Sequence, residues 1–264
     1  MVPRLRIVRA LGLVTIQDLG RRGWMHAAVP PGGALVRGAL RAANRLAGAA
    51  EGAAAIEVCG VLRVRADGGA VVVGTPAARV ELRDGDELDV ASGAATRATY
   101  LAVRGGVDAP VVMGSRGGRV VRAGEIVASG EAYGDGDRDR DRDRDRDRDR
   151  DRGAIRVVLG PDDDAFATTA VATLLQASYR IRPDSDRVGT RLAGSPLARI
   201  AGYVETPRPL VRGALEVPGD GLPIVLGPEH PTTGGYPVIA VVIDDDLDRL
   251  FAAPVTATIR FAVV

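Results

Sequence analysis

From Asp137 to Arg152 the chain alternates aspartate and arginine for sixteen residues without one apolar side chain. A run of this kind buries nothing, and its opposite charges attract locally while leaving no net field, so it reads as a solvated linker or loop insertion. A core must therefore be built on each side of it. The expected division is a first subdomain over residues 1–133, a low-complexity linker over 134–153 and a second subdomain over 154–264.

Both sides read mainly as short strands. Apolar, β-branched runs at 4–9, 70–73, 79–82, 87–90 and 99–103 precede the repeat, and runs at 155–159, 224–226, 238–243 and 256–261 follow it. Gly, Pro and Asp punctuate them closely, with Arg83-Asp84-Gly85-Asp86 and Gly219-Asp220-Gly221 as turn signals. Many short strands with frequent turns predict barrels or sandwiches, not βαβ units. Helices are expected at only three places. Over 34–47 the apolar residues Val36, Leu40, Ala43 and Ala47 recur at helical steps. Over 163–176 and 244–251 an aspartate cluster suits the positive end of a helix dipole.

Composition narrows the chemistry. The 35 basic residues are all arginine, against 34 acidic ones, for a net charge of +1. Removing the repeat, eight of each sign, leaves 27 against 26, so the balance does not depend on it. Near-neutrality argues against a nucleic-acid or membrane-surface protein, whose binding needs excess positive charge. The absence of lysine excludes Schiff-base chemistry and a Walker lysine. Gly-x-Gly-x-x-Gly and Gly-x-Ser-x-Gly motifs are also missing. Two histidines and one cysteine predict no metal site. Cys59, in the apolar run Ile56-Glu57-Val58-Cys59-Gly60, is expected to be a buried small hydrophobe. A single cysteine, no apolar leader at the N-terminus and no membrane-length apolar stretch predict a cytoplasmic protein.

Three polar clusters stand in stretches that do not need them for solubility: Thr15-Ile16-Gln17-Asp18-Leu19-Gly20-Arg21 with His26 and Pro30 to Gly33; Asp186-Arg187-Val188-Gly189-Thr190-Arg191; and His230-Pro231-Thr232-Thr233-Gly234-Gly235-Tyr236-Pro237. In the third, two hydroxyls precede a Gly-Gly pair whose bare N–H groups can approach an anion or carbonyl oxygen, although a β-turn feeding a strand accounts for the same residues. Glu57 points opposite to Ile56 and Val58, either to solvent or inward onto an arginine.

The stretch Gly12 to Arg21 with His26, Gly33-Ala34, Ala43-Asn44-Arg45-Leu46 and Ile56-Glu57 resembles the opening of the biotin-dependent carboxyltransferase family, also known for the second subunit of allophanate hydrolase, which includes the C subunit of 5-oxoprolinase. Further matches follow in order: Tyr100 to Asp108, Met113 to Arg116, Ser185 to Leu192, Val217 to Leu226 and Thr232 to Pro237. The resemblance implies two cyclophilin-like β-barrel subdomains with a few short helices. It also implies work in a complex with an A subunit, and with a B subunit of related fold, as a hydrolase that spends ATP to open the lactam of 5-oxoproline to glutamate. In urea carboxylases the related domain moves a carboxyl group from carboxybiotin to urea; here the biotin would ride on a separate carrier. A third alternative is a regulatory binding module without catalysis.

For such chemistry Arg21, Arg187 and Arg191 are the candidates for neutralising phosphate or carboxylate, with Arg187 placed at the reacting centre. Asp18 and His26 are the candidates for proton transfer. Gln17, Thr232, Thr233, Gly234 and Gly235 are candidates for orienting the carbonyl. Asn44 either contacts substrate or ties down a neighbouring loop, and Tyr236 either donates a hydrogen bond or packs. Asp18 equally suits a turn cap.

Overall fold

A computed structural model describes residues 3–128 and 153–264, so the Asp-Arg repeat lies outside the described residues. The chain is mainly β. The first sheet holds β1 (Arg4–Gln17), β2 (Ala55–Asp67), β3 (Val71–Gly74), β4 (Arg79–Leu82), β5 (Glu87–Ala91), β6 (Thr99–Val103), β7 (Arg119–Val120) and β8 (Ile126–Ala128). Its path runs β4-β3-β6-β2-β1-β7, with β5 added on β2 and β8 on β1. Helix α1 (Arg37–Ala47) lies between β1 and β2 in the chain.

Two long strands give this sheet its barrel-like curvature. β1 and β2 pair antiparallel from Arg4↔Asp67 to Gln17↔Ala55. One end of β2 pairs with β5 and the other with β6, while β1 likewise divides between β8 and β7. The bend that permits this falls where Gly12 faces Gly60, at φ of 78° and 148°. A Cβ on Gly12 would lie 2.5 Å from the Cys59 carbonyl oxygen, so only glycine lets the backbones close at the corner.

The second sheet contains β9 (Ile155–Leu159), β10 (Tyr179–Ile181), β11 (Gly189–Ala193), β13 (Ala214–Glu216), β14 (Ile224–Leu226), β16 (Val238–Val242), β17 (Thr258–Ile259) and β18 (Phe261–Val263), in the order β17-β10-β11-β14-β13-β16-β9-β18. A two-stranded ribbon of β12 (Arg208–Pro209) and β15 (Thr233–Gly234) stands apart from it. Helices α2 (Ala170–Gln176) and α3 (Asp244–Ala252) and two short 3-10 turns complete the described elements.

One large core joins the two sheets. It runs from Ala34, Leu35, Leu40 and Tyr100 on the first side to Leu174, Leu215, Leu250 and Phe251 on the second, while a separate core around Ile7, Ile56 and Leu101 fills the first sheet. Burial of this apolar surface, at roughly 25 cal/mol per Å², is the main force holding the halves together.

The strand expectations at 79–82, 99–103, 155–159 and 224–226 coincide with β4, β6, β9 and β14. The helix expected over 34–47 begins instead at Arg37, because the N–H groups of Ala34, Leu35 and Val36 donate to Asp18 O, Glu57 Oε2 and the Tyr100 hydroxyl. The helix expected over 163–176 is broken: one 3-10 turn, Asp163–Ala165, precedes α2. Asp162 does not cap it. That carboxylate is buried, accepting from Val238 N at 2.8 Å and pairing with Arg208. The run at 256–261 divides into β17 and β18, which pair with different strands.

Candidate active site at the junction of the two sheets

The polar clusters meet where the halves join. Arg21 N donates to Pro31 O at 2.6 Å, Gly32 N to Pro228 O at 2.9 Å, and Glu229 N to Arg187 O at 3.1 Å. Arg187 Nη2 then donates to Gly33 O at 2.6 Å. The first cluster, the second and the Pro228-Glu229 segment leading into the third therefore form one connected wall.

Arg187 is its centre. Only 4% exposed, it pairs through Nη1 with Glu57 Oε1 and through Nε with Glu229 Oε1 at 2.9 Å. Burial opposes its charge, but Glu57 and Glu229 outweigh that and hold its pKa above the ordinary value. Glu57 is fully used as well: Oε2 accepts from Leu35 N at 2.7 Å and from the Tyr100 hydroxyl at 2.6 Å. Burial and the Glu57 charge push the Tyr100 hydroxyl well up, so it stays a neutral donor. The inward alternative for Glu57 is the one realised.

Asp18 organises the loops beside this wall. Oδ1 accepts from Gly20 N at 2.8 Å and Ser115 Oγ at 2.7 Å, and Oδ2 from Arg116 N at 2.6 Å. Gln17, buried at the end of β1, donates to Thr15 Oγ1 at 3.1 Å and lies under Gly117, where a Cβ would stand 2.9 Å from its Oε1. Arg21 donates Nη2 to Gly117 O at 2.9 Å. Its guanidinium lies between Gly32 and Gly118, whose Cβ atoms would come within 3.0 and 2.9 Å of it. Two glycines thus leave room for this cation.

Other residues fall elsewhere. His26 sits on an exposed 3-10 turn, Met25–Ala27, stacked on Trp24 with ring centroids 6.3 Å apart. Asn44 is wholly buried and donates Nδ2 to Glu51 O at 3.0 Å and Ala53 O at 2.7 Å, tying down the loop after α1. Arg191 is exposed on the face of β11 opposite Thr190. Thr232 leads into the ribbon, where Thr233 pairs with Pro209 and Gly234 with Arg208, and Tyr236 is exposed. His230 is buried with Nδ1 2.6 Å from Pro231 O, and burial lowers its pKa. Burial, followed by the Glu57 charge, raises the Cys59 thiol to about 12.

Several site residues escaped the sequence reading. Arg97 donates Nη2 to Thr190 Oγ1 at 2.7 Å and Nε to Phe251 O at 3.0 Å. Arg212 donates Nη2 to Leu35 O at 2.8 Å. Their guanidinium carbons lie 5.8 and 5.0 Å from the Phe251 ring centroid, and burial lowers both pKa values to about 10. Nothing in their local sequence separates them from surface arginines. Tyr100 and Ser115 stood only inside motifs that the resemblance matched, and Glu229 in none, since each acquires its role through contacts distant in the chain.

Residues 27–263 match the carboxyltransferase domain, subdomain A and B. The chain belongs to this family. It is 32% identical to the C subunit of 5-oxoprolinase from Escherichia coli, over 97% of this chain and 90% of that protein. The corresponding 5-oxoprolinase C subunit of Haemophilus influenzae is 31% identical over 95% and 88%. Among solved structures, the urea amidolyase of K. lactis superposes with a TM-score of 0.82 at 19% identity, covering 99% of this chain and 19% of that one. That likeness establishes the shared fold of the carboxyltransferase domain, two barrel-like sheets with few helices. Among the described residues no helix is long and apolar enough to cross a membrane.

Proposed function

We propose that the chain is the C subunit of an ATP-dependent 5-oxoprolinase, working with the A and B subunits to open the lactam of 5-oxoproline to glutamate in the cytoplasm. The observation that carries this reading is the match to the Escherichia coli protein over nearly the full length of both chains. ATP is a substrate of the whole complex, and the junction wall contributes to it positioning and charge.

A lactam carbonyl is a poor electrophile, and stabilising the charge that develops on its oxygen, or on a phosphate attached to it, lowers the barrier. Arg21 is the cation for that task, set between Gly32 and Gly118 with fork geometry suited to phosphate or carboxylate. Arg187, Asp18 and Asn44 are positioning residues: the Arg187 guanidinium, the Asp18 carboxylate and the Asn44 Nδ2 group hold Gly33, Ser115 and the loop after α1 in place. Gln17 and the Thr232 to Tyr236 segment orient the amide, His26 moves protons at the exposed margin, and Arg191 meets an anion outside the junction. The subdomain division at 134–153 belongs to the same reading.

The test is to co-express the chain with its companion subunits and measure 5-oxoproline-dependent ATP hydrolysis. Turnover that falls at least tenfold in Arg21→Ala with the complex intact is the expected result. An assembled but inactive wild-type complex would leave the non-catalytic binding module. The family match favours one second reading, carboxyl transfer from carboxybiotin. Carboxylation of an amide when a biotin carrier and carboxylase are supplied would select it.

A further inference from the structure

Glu229 is held as firmly as the structural acids of the junction, yet its carboxylate reaches water. Its Oε1 accepts from Arg187 Nε at 2.9 Å, its side chain is 39% exposed, and among the described residues no donor takes Oε2. The neighbouring acids are different. Glu57 is wholly buried, with Oε1 on Arg187 and Oε2 taking Leu35 N and the Tyr100 hydroxyl. Asp18 is engaged at both oxygens, by Gly20 N and Ser115 Oγ at one and by Arg116 N at the other.

The loop that carries Glu229 is closed tightly on Arg187. Gly227 N donates to Val188 O at 2.8 Å, Glu229 N to Arg187 O at 3.1 Å and His230 N to Gly227 O at 3.3 Å. A Cβ on Gly227 would collide with Arg187 O, so glycine alone permits this approach. Arg187 is in turn 4% exposed and anchored on Glu57 and on Gly33 O. Buried groups therefore aim the Glu229 carboxylate while one of its oxygens stays open.

Arg21 lies on the other side of Gly32. Gly32 N donates at 2.9 Å to the carbonyl oxygen of Pro228, the residue before Glu229, and a Cβ on Gly32 would stand 3.0 Å from Arg21 Nη1. One glycine segment thus separates a cation from an accessible carboxylate. Opening an amide needs both, a cation for the charge that develops on oxygen and a group that carries a proton to the leaving nitrogen.

We propose that Glu229 is the catalytic acid–base group of the lactam opening, an assignment that rests on the oxoprolinase reading. Its carboxylate takes one proton from the attacking water as the water oxygen bonds to the lactam carbon. The acid so formed returns that proton to the ring nitrogen as the C–N bond breaks. The water is divided between the new carboxyl group and the new amine, and Glu229 ends as the carboxylate it was at the start.

The test uses the chain co-expressed with its companion subunits, scored for glutamate formed from 5-oxoproline with ATP. Glu229→Gln keeps an oxygen for Arg187 Nε but cannot carry the proton. It should assemble like wild type, keep the KM for 5-oxoproline and lose about a hundredfold or more in kcat. Glu229→Ala should fall as far and regain turnover with added formate, a small carboxylate that fits the vacated space; a group that only braces Arg187 is not replaced in this way. A Glu229→Gln kcat within about threefold of wild type, or a Glu229→Ala that formate does not restore, overturns the assignment. Turnover also separates it from the reading it rests on: an active wild-type complex with an equally active Glu229→Gln removes Glu229 and keeps the oxoprolinase reading, whereas an assembled wild-type complex without turnover removes both.

Discussion

Glu57 and Glu216 are both strand glutamates buried among apolar neighbours, at 0% and 7% exposure, yet their surroundings are opposite. Glu57 accepts from Leu35 N, the Tyr100 hydroxyl and Arg187. Glu216 has no partner for Oε1, and burial pushes it to about 7. The first carboxylate is surrounded by donors and fastens one sheet to the other. The second is left with its proton near neutral pH. Partner count, more than depth, separates a structural acid from one free to titrate.

The sharpest way to break this contrast is to strip Glu57 of its partner. Arg187→Ala would leave buried Glu57 uncompensated and also free Gly33 O, and removing one member of a buried ion pair costs about 3–5 kcal/mol. Chemical denaturation should show that loss. Replacing both Glu57 and Arg187 by leucine should cost less than the sum of the single changes, with a coupling of about 1–3 kcal/mol. Additive losses would mean that the pair does not fasten the halves.

Glu216 should respond in the opposite sense. Its folded pKa, about 7, exceeds the 4.5 of the exposed group, so the folded state binds the extra proton. Below pH 4.5 both states are protonated and nothing is lost; between 4.5 and 7 the unfolded chain ionises first, and stability falls as pH rises. At about 1.4 kcal/mol per pKa unit the loss is on the order of 3 kcal/mol above pH 7. Glu216→Gln should lack this slope and be the more stable protein at pH 8. Parallel stability curves for the two would show that Glu216 is not buried as an acid.

These partnerships explain what the sequence could and could not disclose. Strands with one apolar face were legible, because their period is local. The kink at Gly12 and Gly60 was not, since each glycine is forced only by the other strand's backbone. The polar clusters around Asp18, Arg187 and His230 stood out because they interrupt apolar runs, and the fold joins them through Gly33, Pro228 and Glu229. Glu216 did not stand out at all. Its neighbours in sequence, Leu215 and Val217, suit a strand, and only the ribbon laid over it shows that it lacks a partner.

Asp248 occupies the middle of the comparison and gives the smallest effect. Helix α1 begins at Arg37 after Val36, which supplies no side-chain cap. Asp248, from α3, accepts from Arg37 N at 2.8 Å and Gly38 N at 2.5 Å, so a carboxylate of the second half caps a helix of the first. It also places negative charge at the positive end of the helix dipole. It is half-buried, so water partly replaces it when it is lost. Asp248→Ala should therefore cost about 1 kcal/mol, the usual value of a cap, and lower the melting temperature by roughly 2–4 °C. Asp248→Asn, which keeps one acceptor, should recover part of that. If Asp248→Ala instead matched Arg187→Ala, the cap and not the Glu57 pair would be the main polar fastening between the halves.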